Sequence, residues 1–120
     1  LAGAAALALG ELDAAERHWA TALELAHGAA YDLGAARALN NLAIVADIRG
    51  RRDDALSLYE SAIPLYQRLG HAAGLAGAFH NMALAQRHLR RYEQADESER
   101  RAAEFARQAG DARIVEAALV

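Results

Sequence analysis

Ala38-Leu39-Asn40-Asn41-Leu42-Ala43, the turn Arg49-Gly50-Arg51, and then Ala55-Leu56-Ser57-Leu58-Tyr59 decide the fold of this chain. Apolar residues recur three and four apart on both sides of the turn, which is the spacing of one face of an α-helix. The stretch therefore reads as helix, tight turn, helix. Forty residues later the plan returns as Ala78-Phe79-His80-Asn81-Met82-Ala83, then Arg90-Arg91-Tyr92, then Ala95. Forty residues earlier it is Gly10-Glu11-Leu12, then Ala15 and Trp19.

The register is strict at small residues. Ala15, Ala55 and Ala95 fall together, as do Ala22, Ala62 and Ala102, and then Ala30, Gly70 and Gly110. Small side chains at fixed offsets let helices approach closely, and a fixed period of this length is the signature of stacked repeats. The expected units are a partial first repeat over 1–30, a second over 31–70, a third over 71–110, and the start of a fourth helix pair over 111–120. Gly10, Gly50, Gly70 and Gly110 are each expected to stop a helix. Pro64 falls inside the helix that carries Ala55 to Leu69. It removes one backbone donor, so a kink is expected there.

Composition agrees with an all-α fold. Alanine, the best helix former, makes up more than a quarter of the 120 residues, and there is one proline. The net charge of −3 offers no general attraction to nucleic acid or to an anionic membrane. All 13 basic residues are arginines, which excludes P-loop and Schiff-base lysine chemistry. Without cysteine there is no disulfide framework, thiol nucleophile or zinc–thiolate cluster. No long uncharged apolar run suggests a transmembrane helix. Residues 1–9 are apolar but lack the basic flank of a signal peptide. They read as the tail of a repeat helix. With Leu1 in first place and an apolar run at 117–120, the sequence reads as a segment of a longer, cytoplasmic protein.

These residues resemble the tetratricopeptide repeat family, whose pattern is W-x2-L-G-x2-Y, A-x3-F and P over about 34 residues. The middle copy gives Leu39-x2-Leu42-Ala43-x2-Ala46 and Ala55-x3-Tyr59; the third gives Phe79-x2-Met82-Ala83-x2-Gln86 and Ala95, with Glu99 at the aromatic position. The period departs from that pattern at 40 residues and the terminal proline is missing; the longer period and the Ala38-Leu39-Asn40-Asn41-Leu42-Ala43 run are similar to the repeats of kinesin light chains and of large bacterial regulators of the MalT type. The resemblance implies a right-handed α-solenoid of antiparallel helix pairs whose leading helices line a concave groove. It also implies a protein or peptide partner in that groove. Chaperone-binding members use a lysine-containing carboxylate clamp, a role this lysine-free chain is not expected to fill.

The candidate partner-binding residues are Arg37, Asn40, Asn41, Ile44 and Asp47 on the middle leading helix, with Ile48 beside them. On the next leading helix they are His80, Asn81, Leu84, Arg87 and His88. Neighbouring helices stand about 8–10 Å apart, and an extended peptide advances about 3.3 Å per residue. Asn41 and Asn81 are thus spaced to grip backbone amides about three residues apart, each offering a donor and an acceptor. Bridging between helices is the competing reading for both. Asp47 and Arg87 are expected to form an ion pair across neighbouring helices.

His80 and His88 lie about 12 Å apart along one helix, too far to share a metal. No metal or other cofactor is expected. Arg49, Arg51, Arg52, Arg87, Arg90 and Arg91 would gather at the turns as a solvated basic rim, with no role in nucleic-acid binding. Trp19, Tyr59, Tyr66 and Phe79 read as core. Ser57, Ser61 and Ser98 lack a convincing His or acid partner, so no enzyme is expected. Three uses stay open: a binding scaffold, a sensor of a small effector or signalling peptide in a transcriptional regulator or ATPase, and a structural spacer that self-associates through its ends.

Overall fold

In the computed structural model the backbone is described for residues 2–119 and the side chains for residues 8–111. Five helices follow one another: α1 (Ala2–Gly28), α2 (Asp32–Ile48), α3 (Arg52–Leu69), α4 (Ala72–His88) and α5 (Tyr92–Leu119). Each packs on its predecessor, and α2 also touches α4. This is an all-α repeat solenoid. α2 with α3 and α4 with α5 form two successive hairpins, and α1 packs against the first.

The four turns share one geometry and fall on a 20-residue grid. Ala30, Gly50, Gly70 and Arg90 all have positive φ, from 53° to 80°. At each, two backbone bonds close the preceding helix. Gly50 N–H donates to Asp47 O at 2.9 Å and Arg51 N–H to Ala46 O at 2.8 Å, and the same pairings recur around residues 30, 70 and 90. This is the Schellman arrangement, which satisfies carbonyls that a helix end leaves without partners.

Gly10 and Gly110 lie on the same grid, yet the expected stops are absent there. α1 runs through Gly10 and α5 through Gly110. A glycine inside a helix costs only about 1 kcal/mol relative to alanine, so glycine permits a turn without imposing one. The turn forms even at Ala30 and Arg90, in a conformation unfavourable for residues with a Cβ, where α2 folds back on α1 and α5 on α4. Among the described residues α1 packs on α2 and α5 on α4, and the backbone ladder continues through both glycines.

The small residues of the register sit at the helix contacts. Ala36, Ala38, Ala43, Ala55, Ala62, Ala78, Ala83, Ala85 and Ala95 are fully or almost fully buried. Alanines bring backbones close but bury little area, so the larger side chains supply most of the hydrophobic term. Tyr59, Tyr66 and Phe79 are buried in one cluster with Leu39, Leu56, Ile63, Leu75 and Met82. Burying one such side chain fully contributes about 1.5–3 kcal/mol. Burial also pushes the Tyr59 and Tyr66 phenols up, Tyr59 with help from the Asp47 carboxylate. Phe79 stacks on Phe105 with ring centres 5.8 Å apart, and the Arg101 guanidinium lies 5.6 Å from the Phe79 centroid. Trp19, expected in the core, is only half-buried, edge-on to His18 on α1.

α3 runs through Pro64. Pro64 and Glu60 are both exposed, so the carbonyl that loses its helical donor faces water. On α5 the ion pairs run along the helix itself. Glu97 takes both Arg100 at 2.6 Å and Arg101 at 3.4 Å, and Arg100 also reaches Glu104 at 2.8 Å.

Candidate partner-binding face

The leading helices of the two complete hairpins, α2 and α4, carry the candidate face. Along α2 the buried residues Ala36, Leu39, Ala43 and Ala46 take one side. Arg37 and Ile48 are exposed on the other, with Asn40, Asn41, Ile44 and Asp47 half-buried between. α4 repeats the division. Ala78, Phe79, Met82 and Ala83 are buried, while Gly77, His80, Leu84, Arg87 and His88 are exposed and Asn81 is half-buried. Ile48 at 62% and Leu84 at 39% are two of the exposed large apolar side chains among the described residues.

Polar contacts stitch this face together. Asp47 of α2 accepts from His88 Nδ1 of α4 at 3.4 Å and lies 3.5 Å from Arg52 Nε. The expected Asp47–Arg87 pair therefore does not form; the histidine one residue further takes the carboxylate. Arg87 turns instead toward α5, where Glu99 Oε1 stands 3.8 Å from its Nη1 and 2.9 Å from His80 Nδ1. Sequence reasoning noted Glu99 only as a missing aromatic. The missed signal was that its 40-residue counterpart, Tyr59, is 1% exposed, so a carboxylate at that position has to find cations.

The asparagines behave differently from one another. Asn41 Nδ2 donates to Arg37 O in its own helix at 3.0 Å, which leaves its oxygen as the outward-facing group. Asn40 Oδ1 is sealed from solvent without a hydrogen-bond partner.

Five of the six arginines of the turns lie within ion-pair distance of a carboxylate, and Arg51, Arg87, Arg90 and Arg91 remain exposed to solvent. Arg49 pairs with Asp13 and lies 3.5 Å from Glu16, and Arg51 reaches Glu16 at 3.8 Å. Arg91 donates to Asp53 at 3.2 Å. Asp13 and Asp53 are 40 residues apart, so the acid of the clasp recurs in successive units, while its arginine shifts from Arg49 to Arg91. The Arg49 hydrogen bond and charge hold the Asp13 carboxyl below its usual value. Between α1, α2 and α3 this clasp roofs a cavity of about 230 Å³, walled by Leu42, Val45, Ala46 and Leu58 and rimmed by Glu16, Arg49, Arg51 and Asp54. One junction further the equivalent space is closed by buried Leu56, Met82 and Gln86, with Ser98 Oγ donating to Gln86 Oε1 at 2.7 Å.

No group of three or more His, Cys, Asp or Glu suited to a metal occurs among the described residues. No described helix is long and apolar enough to cross a membrane. The tetratricopeptide repeat model matches residues 1–68 and again 34–108. The chain belongs to the tetratricopeptide repeat family. Tetratricopeptide repeats generally serve as non-catalytic scaffolds that bind proteins or peptides. Among curated proteins, none matches this chain.

Proposed function

We propose that this tetratricopeptide segment is a peptide-binding scaffold within a larger, cytoplasmic and bacterial regulatory protein of the kinesin-light-chain or MalT-like repeat type. Its units run over 1–30, 31–70, 71–110 and from 111 onward. The partner lies in extended form along α2 and α4, against Arg37, Asn40, Asn41, Ile44, Asp47, His80, Asn81, Leu84, Arg87 and His88. The exposure of Ile48 and Leu84 on this face carries the reading. Exposed apolar residues set among polar groups are what a recognition surface needs.

The test begins with display selection of peptides against the chain. Binders are then measured by fluorescence anisotropy against Ile48→Asp/Leu84→Asp protein, with Leu69→Asp on α3 as an exposed apolar control. A loss of about tenfold or more in the double variant alone is expected. Equal affinity for both variants and the parent would overturn the groove. A second reading, a sensor of a small effector, draws on the cavity between α1, α2 and α3. Saturation-transfer NMR with small-molecule fragments, repeated after Leu58→Trp fills that cavity, separates the two readings.

A further inference from the structure

We propose that the cavity between α1, α2 and α3 binds a free α-amino acid with a branched aliphatic side chain. This rests on the small-effector reading of that cavity, adds the chemistry of the ligand, and is independent of the groove.

The 40-residue register shows how this junction departs from the next. Ala46 and Leu58 line the cavity where the next junction places Gln86 and Ser98, which meet in a hydrogen bond of 2.7 Å and fill the space. At the rim the exchange runs the other way. Glu16 and Arg49 stand where the next junction has Leu56 and Leu89, both packed in or against the core. The wall has thus lost polar groups while the rim has gained charge. Stacking requires neither change, since the next junction packs with leucine at both rim positions. Apolar walls with a few placed polar groups are the usual form of a small-molecule site. At about 230 Å³ the cavity exceeds the roughly 150 Å³ that takes one benzene-sized molecule, and falls short of the ~300 Å³ at which drug-sized sites begin.

The rim selects the head group. It carries both signs, with Arg49 and Arg51 beside Glu16 and Asp54. Arg49 is the most enclosed of these, its side chain 15% exposed. Asp13 accepts from its Nη2, but its Nε is sealed from solvent without a hydrogen-bond partner, 3.5 Å from Glu16. A buried donor in that state is costly, and a ligand carboxylate that draws the guanidinium toward the cavity relieves it. The Arg51 guanidinium reaches Glu16 only at 3.8 Å and is half open to solvent, free to turn to the same carboxylate. Glu16 and Asp54 offer acceptors to an ammonium group. A ligand of single charge answers one sign of this rim and leaves the other unmatched. A zwitterion with both charges on one carbon answers both. Its side chain then meets Leu42, Val45 and Leu58, in the space that Ala46 leaves open.

The test titrates L-leucine into the chain and follows the backbone amides by NMR. Three analogues accompany it: isocaproate lacks the ammonium, isoamylamine lacks the carboxylate, and glycine lacks the side chain. Leucine is expected to shift the amides around Val45, Arg49 and Asp54 and to bind about tenfold tighter than each analogue. Arg49→Leu, which installs the residue of the next junction, should weaken leucine about tenfold. Ala46→Gln with Leu58→Ser transplants the hydrogen-bonded pair that fills the next junction and should abolish the shifts, with circular dichroism checking that the helices remain. Should that double variant not fold, Arg49→Leu carries the test. Isocaproate or isoamylamine binding as tightly as leucine would overturn the zwitterion and leave the cavity a small-molecule site. Leucine shifts undiminished in both variants would overturn the cavity as their location. No shift from any of the four, with other fragments still seating in the cavity, would overturn the amino acid alone. Silence from the fragments as well would overturn the effector reading with it.

Discussion

Gly74 and Gly77 lie three residues apart on α4, and the structure assigns alanine opposite effects at the two sites. At Gly77 an added Cβ meets nothing within 4 Å, and the backbone is ordinary helix. Alanine there removes chain freedom from the unfolded state and should stabilise the protein by about 0.5–1 kcal/mol. At Gly74 the same atom would overlap the Tyr66 ring and crowd His71 Nδ1. Neither neighbour yields freely. Tyr66 is 4% exposed in the core, and His71 Nδ1 accepts from Gly74 N–H at 2.8 Å as the helix cap. Overpacking a well-filled site costs about 1–3 kcal/mol, which exceeds the propensity gain. Gly74→Ala should therefore lose about 1–2 kcal/mol net.

Urea unfolding followed by far-UV circular dichroism measures both variants. In thermal melts, roughly 4 °C should accompany each kcal/mol, upward for Gly77→Ala and downward for Gly74→Ala. In a Tyr66→Leu background the Gly74→Ala penalty should shrink by half or more, because the two sites are coupled by contact. If Gly74→Ala stabilises the chain as Gly77→Ala does, then α4 does not pack on Tyr66 as described. The reasoning about the α3–α4 junction would then be wrong.

Gly10→Ala should stabilise the chain by about 0.5–1 kcal/mol if α1 is continuous there; a loss of 1–2 kcal/mol in the same urea assay would show that Gly10 adopts a left-handed turn. Gly50→Ala, at φ 80°, should by contrast be destabilising by about 1 kcal/mol or more, read from the same melts. Ser98→Ala leaves buried Gln86 without its donor and should cost about 1–3 kcal/mol, whereas Ser98→Ala with Gln86→Met should recover much of it. The Asp13 carboxyl should titrate below its ordinary 3.8 and return toward it in Arg49→Ala, followed by NMR. Because its folded value is depressed, its contribution is present above that ordinary value and fades as pH falls through the folded one.

Much of the repeat architecture was legible without coordinates. The alanines at 55 and 95 and at 62 and 102 are buried, as the 40-residue register requires. The exposed and half-buried residues of α2 and α4 also fell where helical spacing put them, because spacing fixes which side of a helix a residue takes. The ionic partners did not follow. Asp47 chose His88 over Arg87, and Arg87 chose Glu99 on the next helix. Long side chains on adjacent helices have several partners within reach, and a shift of one residue between helices decides among them.

The sequence by itself determined that this chain is helical, that its units repeat every 40 residues, and which side of each helix is apolar. Those properties depend on propensity and period, which are local. Only the tertiary structure decided where the chain reverses. The same 20-residue grid holds Gly10, Ala30, Gly50, Gly70, Arg90 and Gly110, and the four central positions turn while the two outer glycines stay helical. Each of the four turns joins two helices that pack on one another. Residues a full helix apart in sequence supply that contact, and no local signal reports it.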